Sequence, residues 1–80
     1  NEGMSRIWYE VTWTNHKGKS IHFIRRPDYA TAYSYYMEWR DKAFAKLIYT
    51  ERRLTSSTVA TAKGAFNQTQ VSIRKKVRQP

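Results

Sequence analysis

Arg74, Lys75, Lys76 and Arg78 gather phosphate-binding side chains near the end of an 80-residue chain. Arginine offers a planar fork of donors and lysine a compact point charge, and both suit an anionic backbone better than a neutral ligand. Arg52, Arg53 and Lys63 add to them, and no Asp or Glu follows Glu51, so seven of the nine excess positive charges fall in the last 29 residues. A one-sided charge of this kind raises the local concentration of polyanions. The partner it points to is nucleic acid, DNA or RNA, or an acidic protein surface.

Two further groupings could contribute to such a contact. Trp8 offers a ring on which an unpaired base can stack, with Arg26, Arg74 and Lys76 to hold phosphates beside it. Tyr35, Lys42, Lys46, Tyr49 and Arg53 are spaced seven, four, three and four residues apart, which places them on one stripe of a continuous helix. Catalytic groupings are missing. His16 and His22 have neither a nucleophile nor a metal-ligand spacing with another His, Asp or Glu, so the expected protein is not an enzyme and carries no cofactor or metal. Glu38 and Asp41, flanked by Arg40 and Lys42, read as surface ion pairing. Asn67-Gln68-Thr69 matches a glycosylation acceptor by coincidence.

The elements that must position these residues follow from periodicity. Ile7, Tyr9, Val11 and Trp13 alternate with Trp8, Glu10, Thr12 and Thr14, the period of a half-buried strand. Asn15 to Gly18 supplies hairpin chemistry. The return strand, Ser20 to Arg26, is expected to turn Ile21 and Phe23 inward and His22 and Ile24 outward. Pro27 ends it, and Asp28 caps a helix.

From Tyr29 the period becomes helical, with Trp39, Ala32, Ala43, Tyr36, Leu54, Tyr29, Leu47, Tyr33, Phe44, Met37 and Ile48 on one arc, so one helix is expected from near Asp28 to at least Ile48. Arg40 interrupts that arc, so its charge must be paired, with Glu10 as the expected partner, or stacked along Tyr33 and Phe44. Residues 55–69 read as a long connection with one short strand around Thr58 to Ala62. Gln70 to Val77 alternates again, with Val71, Ile73 and Val77 inward and Ser72, Arg74 and Lys76 outward.

The expected architecture is α+β, a single domain over residues 4–80 with β-β-α-β order and one long amphipathic helix on one face of a small, mostly antiparallel sheet. Asn1, Glu2 and Gly3, ahead of Met4, read as an expression remnant. A 40% hydrophobic share with 15% aromatics favours folding despite a net charge of +9. The absence of cysteine fits a reducing compartment. Without a run of about 18 apolar residues or a secretory signal, the chain reads as soluble and cytoplasmic, with no membrane partner.

Two functions suit this reading. The first is a nucleic-acid-binding accessory module working through the basic C-terminal strand and an aromatic, basic sheet face. The alternative is a regulatory adaptor or inhibitor, of a size and composition that suit a phage or mobile-element protein, docking on an acidic partner surface. A homodimer through exposed apolar residues is a further expectation.

Overall fold

The computed structural model describes residues 6–53, 58–66 and 68–78; the proposed expression remnant, Leu54 and Asn67 lie outside them. In chain order the elements are β1 (Ile7–Thr14), β2 (Ser20–Arg26), α1 (Tyr29–Phe44), β3 (Tyr49–Arg53), β4 (Thr58–Gly64) and β5 (Gln70–Val77). The strands form one antiparallel sheet in the order β2-β1-β5-β4-β3, with α1 packed on one face. The α+β class and the uncovered sheet face are as expected from the sequence. The order is β-β-α-β-β-β, because the stretch expected as the end of the helix is β3, and the short strand expected around Thr58 to Ala62 is a full strand of the sheet, β4.

The first hairpin is built as its residues dictate. Asn15 Oδ1 accepts from the backbone N–H groups of Lys17 and Lys19 at 2.9 and 3.0 Å, and Gly18 adopts φ 81°, a conformation that glycine reaches without a Cβ clash. At the other end of β2, Asp28 Oδ2 accepts from both the backbone N–H and the hydroxyl of Thr31 at 2.8 Å, satisfying one orphan backbone donor of the first helical turn.

The helix runs over β1 in that strand's own direction, with Tyr29 edge-on to Tyr9 at 5.3 Å and Trp39 near Trp13 at 6.4 Å. The core beneath it joins Val11, Val71 and Ile73 to Ala32, Tyr36, Trp39 and Phe44. Ala60 and Ala62 of β4 are buried in the same core, and their small side chains leave room for the Tyr36 and Phe44 rings.

The helix stops at Phe44, four residues short of the expected minimum. Ala45 takes φ 47°, closing the helix through its N–H to Asp41 O, and Phe44 stacks on Tyr49 at 4.7 Å after the chain has turned. No glycine marks that turn. What wins over the helical phase is the tertiary gain of β3, whose inward side chains Tyr49, Glu51 and Arg53 all meet the helix. Leu47 and Ile48, expected in the core, are 58% and 67% exposed.

Glu51 fastens β3 to α1. Its Oε2 accepts from the Tyr36 hydroxyl at 2.6 Å and from Arg40 Nη1 at 2.8 Å, so the cation in the apolar arc pairs with Glu51 and not with Glu10, and it stacks over Tyr36 at 5.6 Å. Burial works against the Glu51 carboxylate, but the hydrogen bonds from Tyr36 and Arg40 outweigh it and hold its pKa below the ordinary value. The Tyr36 phenol is pushed well above its ordinary range, first by burial and then by the bond to Glu51. Arg53, beside Glu51 at 3.8 Å, donates to the Tyr33 hydroxyl.

Because the folded pKa of Glu51 is depressed, its contribution to stability is present above the unfolded value near 4.5 and is lost as pH falls through the folded value. Glu51→Gln should therefore cost about 1.5–3 kcal/mol at neutral pH and flatten the acid limb of a urea-denaturation series, leaving the part due to Asp28, whose pKa its Thr31 hydrogen bonds also lower. An unchanged acid limb would contradict this. Ala45→Gly should raise stability by about 1 kcal/mol, since it relieves a positive φ on a residue with a Cβ.

Candidate nucleic-acid interface

The uncovered face follows from the register. The row Phe23–Thr12–Ser72–Thr61–Arg52 crosses all five strands, the row Arg25–Glu10–Arg74 lies beside it, and Trp8 pairs with Lys76 beyond that. Val71 and Ile73 are buried on the opposite side, so Arg74 and Lys76 do point away from the helix. A one-residue slip of β5 would bury both cations and expose the core residues.

The return strand has the reverse of its expected parity. Val11 pairs with Ile24 and Trp13 with His22, so His22 and Ile24 face the helix, and Phe23 and Arg25 face outward. Aromatic packing decides this: the His22 ring lies 5.0 Å from Trp13 and 5.6 Å from Trp39. Between His22 and Ser20 the register shifts, leaving Ile21 as an extra residue in a bulge. Phe23, expected in the core, is 52% exposed.

Arg26 therefore leaves the proposed platform and stacks over Tyr35 at 5.1 Å on the helix side. The five-residue helical stripe is divided: Tyr35 and Lys42 stay on α1, Lys46 lies in the turn after it, and Tyr49 and Arg53 belong to β3 with inward parity. Lys75 shares the helix-side parity of Ile73. Of the expected contact residues, Trp8, Arg52, Lys63, Arg74, Lys76 and Arg78 meet on the open face, and Arg25, which the reversed parity of β2 turns outward, joins them.

Charge is segregated between the two faces. Glu10 is the only carboxylate on the open face among the described residues; it accepts from Trp8 Nε1 at 3.0 Å and from Arg25 Nε at 3.2 Å, and its side chain is 14% exposed. Asp28, Glu38, Asp41 and Glu51 lie on the helix side, where Lys42 pairs with Glu38 at 2.9 Å and Arg40 with Glu51. Arg52, Lys63, Arg74 and Lys76 have no carboxylate partner among the described residues.

The Trp8 ring is already engaged, since the guanidinium carbons of Arg25 and Arg78 lie 5.5 and 5.9 Å from its centroid. It organises two arginines rather than presenting a bare stacking surface. Between the cations lie Thr12, Ser72 and Thr61; Ser72 is buried, its Oγ accepting from the Gln70 side-chain amide at 3.2 Å, while Thr12 and Thr61 are partly exposed. Among the described residues, no cluster of His, Cys, Asp or Glu could hold a metal ion, and no helix is long and apolar enough to cross a membrane.

Comparison of the chain with protein families, curated proteins and solved structures finds no match. The face must be read from its own chemistry.

The chain has no native cysteine, so the parity of β2 is open to a direct check. A cysteine at position 23 should react faster with a thiol reagent than one at the partly buried position 24. Faster reaction at position 24 than at position 23 would return β2 to the opposite parity.

Proposed function

We propose that this chain is a cytoplasmic, non-enzymatic nucleic-acid-binding accessory module that lays the open face of its sheet against a phosphate backbone. The observation that carries the reading is charge segregation: Arg52, Lys63, Arg74 and Lys76 stand on one face without carboxylate partners among the described residues, while the acids of the helix and β3 are used on the other. Such a face attracts polyanions at long range and grips phosphates at short range, with arginines able to fork across their oxygens. The cysteine-free composition suits a reducing compartment.

A second reading has its own observation. Leu47 and Ile48 lie exposed in the turn before β3, Phe66 is 84% exposed in the turn after β4, and Ala65 N–H donates to Ile48 O at 3.1 Å, which brings the two turns together. An apolar tip of this kind suits an adaptor docking on a partner protein, with the basic face speeding its approach to an acidic surface.

Four phosphate contacts imply a log–log salt slope of about −3 for a single strand, at roughly 0.7 counterions per contact. Binding isotherms at several salt concentrations should show this slope. Arg74→Glu with Lys76→Glu should weaken binding across sequences, because phosphate contacts carry little base information. Absence of salt-sensitive binding to single-stranded and duplex nucleic acid alike would reject the nucleic-acid reading in favour of the adaptor.

A further inference from the structure

Phe23 is the aromatic residue on the open face that the cations leave uncovered. Arg25 and Arg78 lie over Trp8, whereas none of the aromatic or cation–ring pairs found among the described residues involves Phe23. It stands at the β2 end of the row that continues through Thr12, Ser72 and Thr61 to Arg52. Four inter-strand gaps of about 4.8 Å separate the ends of that row by roughly 19 Å. Arg25, two residues along on the same side of β2, is held by Glu10 at 3.1 Å.

We propose that the open face takes single-stranded nucleic acid in preference to duplex, with an unpaired base stacked on Phe23 and the strand's phosphates carried across the sheet toward Arg74, Lys63 and Arg52. This rests on the nucleic-acid reading above and adds its substrate class. Charge complementarity selects the occupant: an apolar ring two residues from Arg25 and in the row that ends at Arg52 matches a ligand with alternating flat bases and anions. A base in a duplex already has both faces stacked and cannot offer one to Phe23. The described part of this face carries no helix or projecting ribbon of the kind that enters a major groove. A second copy paired along β2 is disfavoured by the bulge at Ile21 and by Arg25 and Arg26, features that blunt an edge strand.

The test titrates a fluorescein-labelled, mixed-sequence DNA single strand and its matched duplex with the full chain and with the variants Phe23→Ala, Phe23→Tyr and Phe66→Ala, alongside sedimentation of each protein. Phe23→Ala should lose about 5- to 150-fold in single-strand affinity, the range measured for loss of one base stack, with duplex affinity unchanged. Phe23→Tyr should retain binding, and Phe66→Ala should behave as the wild type. A Phe23→Trp variant should show indole quenching by the single strand and none by the duplex. Equal affinity of the wild type for both forms with no effect of Phe23→Ala would overturn this inference while leaving charge-driven binding intact. Equal losses on both forms, an equal effect of Phe66→Ala, or a shift of Phe23→Ala from dimer to monomer would overturn it as well. If neither form shows salt-sensitive binding, the nucleic-acid reading falls and this inference falls with it.

Discussion

The hydrogen bonds that Tyr36 and Arg40 donate to one oxygen of Glu51 decide more of this structure than any other contact. They turn the Glu51 carboxylate inward, which fixes the parity of β3 and leaves Arg52 on the open face and Arg53 against Tyr33. They also settle the cation that Arg40 places in the middle of the apolar helix face, where an unpaired charge would be strongly destabilising. With Glu51 turned in and β3 paired to β4, the sheet extends to five strands and the Arg40 charge is paired within the fold.

The opposite face is the complement of this arrangement. Its one described carboxylate, Glu10, is engaged with Arg25 and the Trp8 indole, and a single negative charge cannot balance Arg25, Arg74, Lys76, Lys63 and Arg52 together. A single 16-residue helix covers only one side of the sheet, and a domain of this size has little further chain with which to cover the other. The result is a cationic surface with a partly exposed phenyl ring at one edge. Fold alone assigns no activity to such a surface, so its function must rest on the chemistry of the side chains it presents.

Much of this was legible in the sequence where apolar and charged residues alternate without ambiguity. The contrast between Val71 and Ile73 on one side and Arg74 and Lys76 on the other sets the parity of β5, and Asn15, Gly18, Pro27 and Asp28 mark the hairpin and the helix start through local backbone chemistry. Ser20 to Arg26 carried no such contrast, because Ile21, Phe23 and Ile24 put apolar groups on both sides. Only the packing of His22 between Trp13 and Trp39 resolves it. The end of the helix was hidden for a different reason. Residues 45–53 continue the helical phase and contain no glycine or proline, while the forces that turn them into β3 come from contacts with Tyr36, Arg40 and β4. Of the expected interface, Lys63, Arg74 and Lys76 lie on the open face, whereas Lys75 has helix-side parity; the helical stripe dissolved with the last turns of the helix, and Arg26 moved with the phase of β2.

The most direct test of the claim that the open face is the contact surface follows the arginine side-chain Nε–Hε signals by NMR as a single-stranded oligonucleotide is added. The signals of Arg25, Arg52 and Arg74 should shift together and saturate at one ligand concentration, while those of Arg40 and Arg53, committed to Glu51 and Tyr33, should stay in place. Shifts concentrated on Arg26, Arg40 and Arg53, with the open-face arginines unmoved, would place the contact on the helix side and contradict the account.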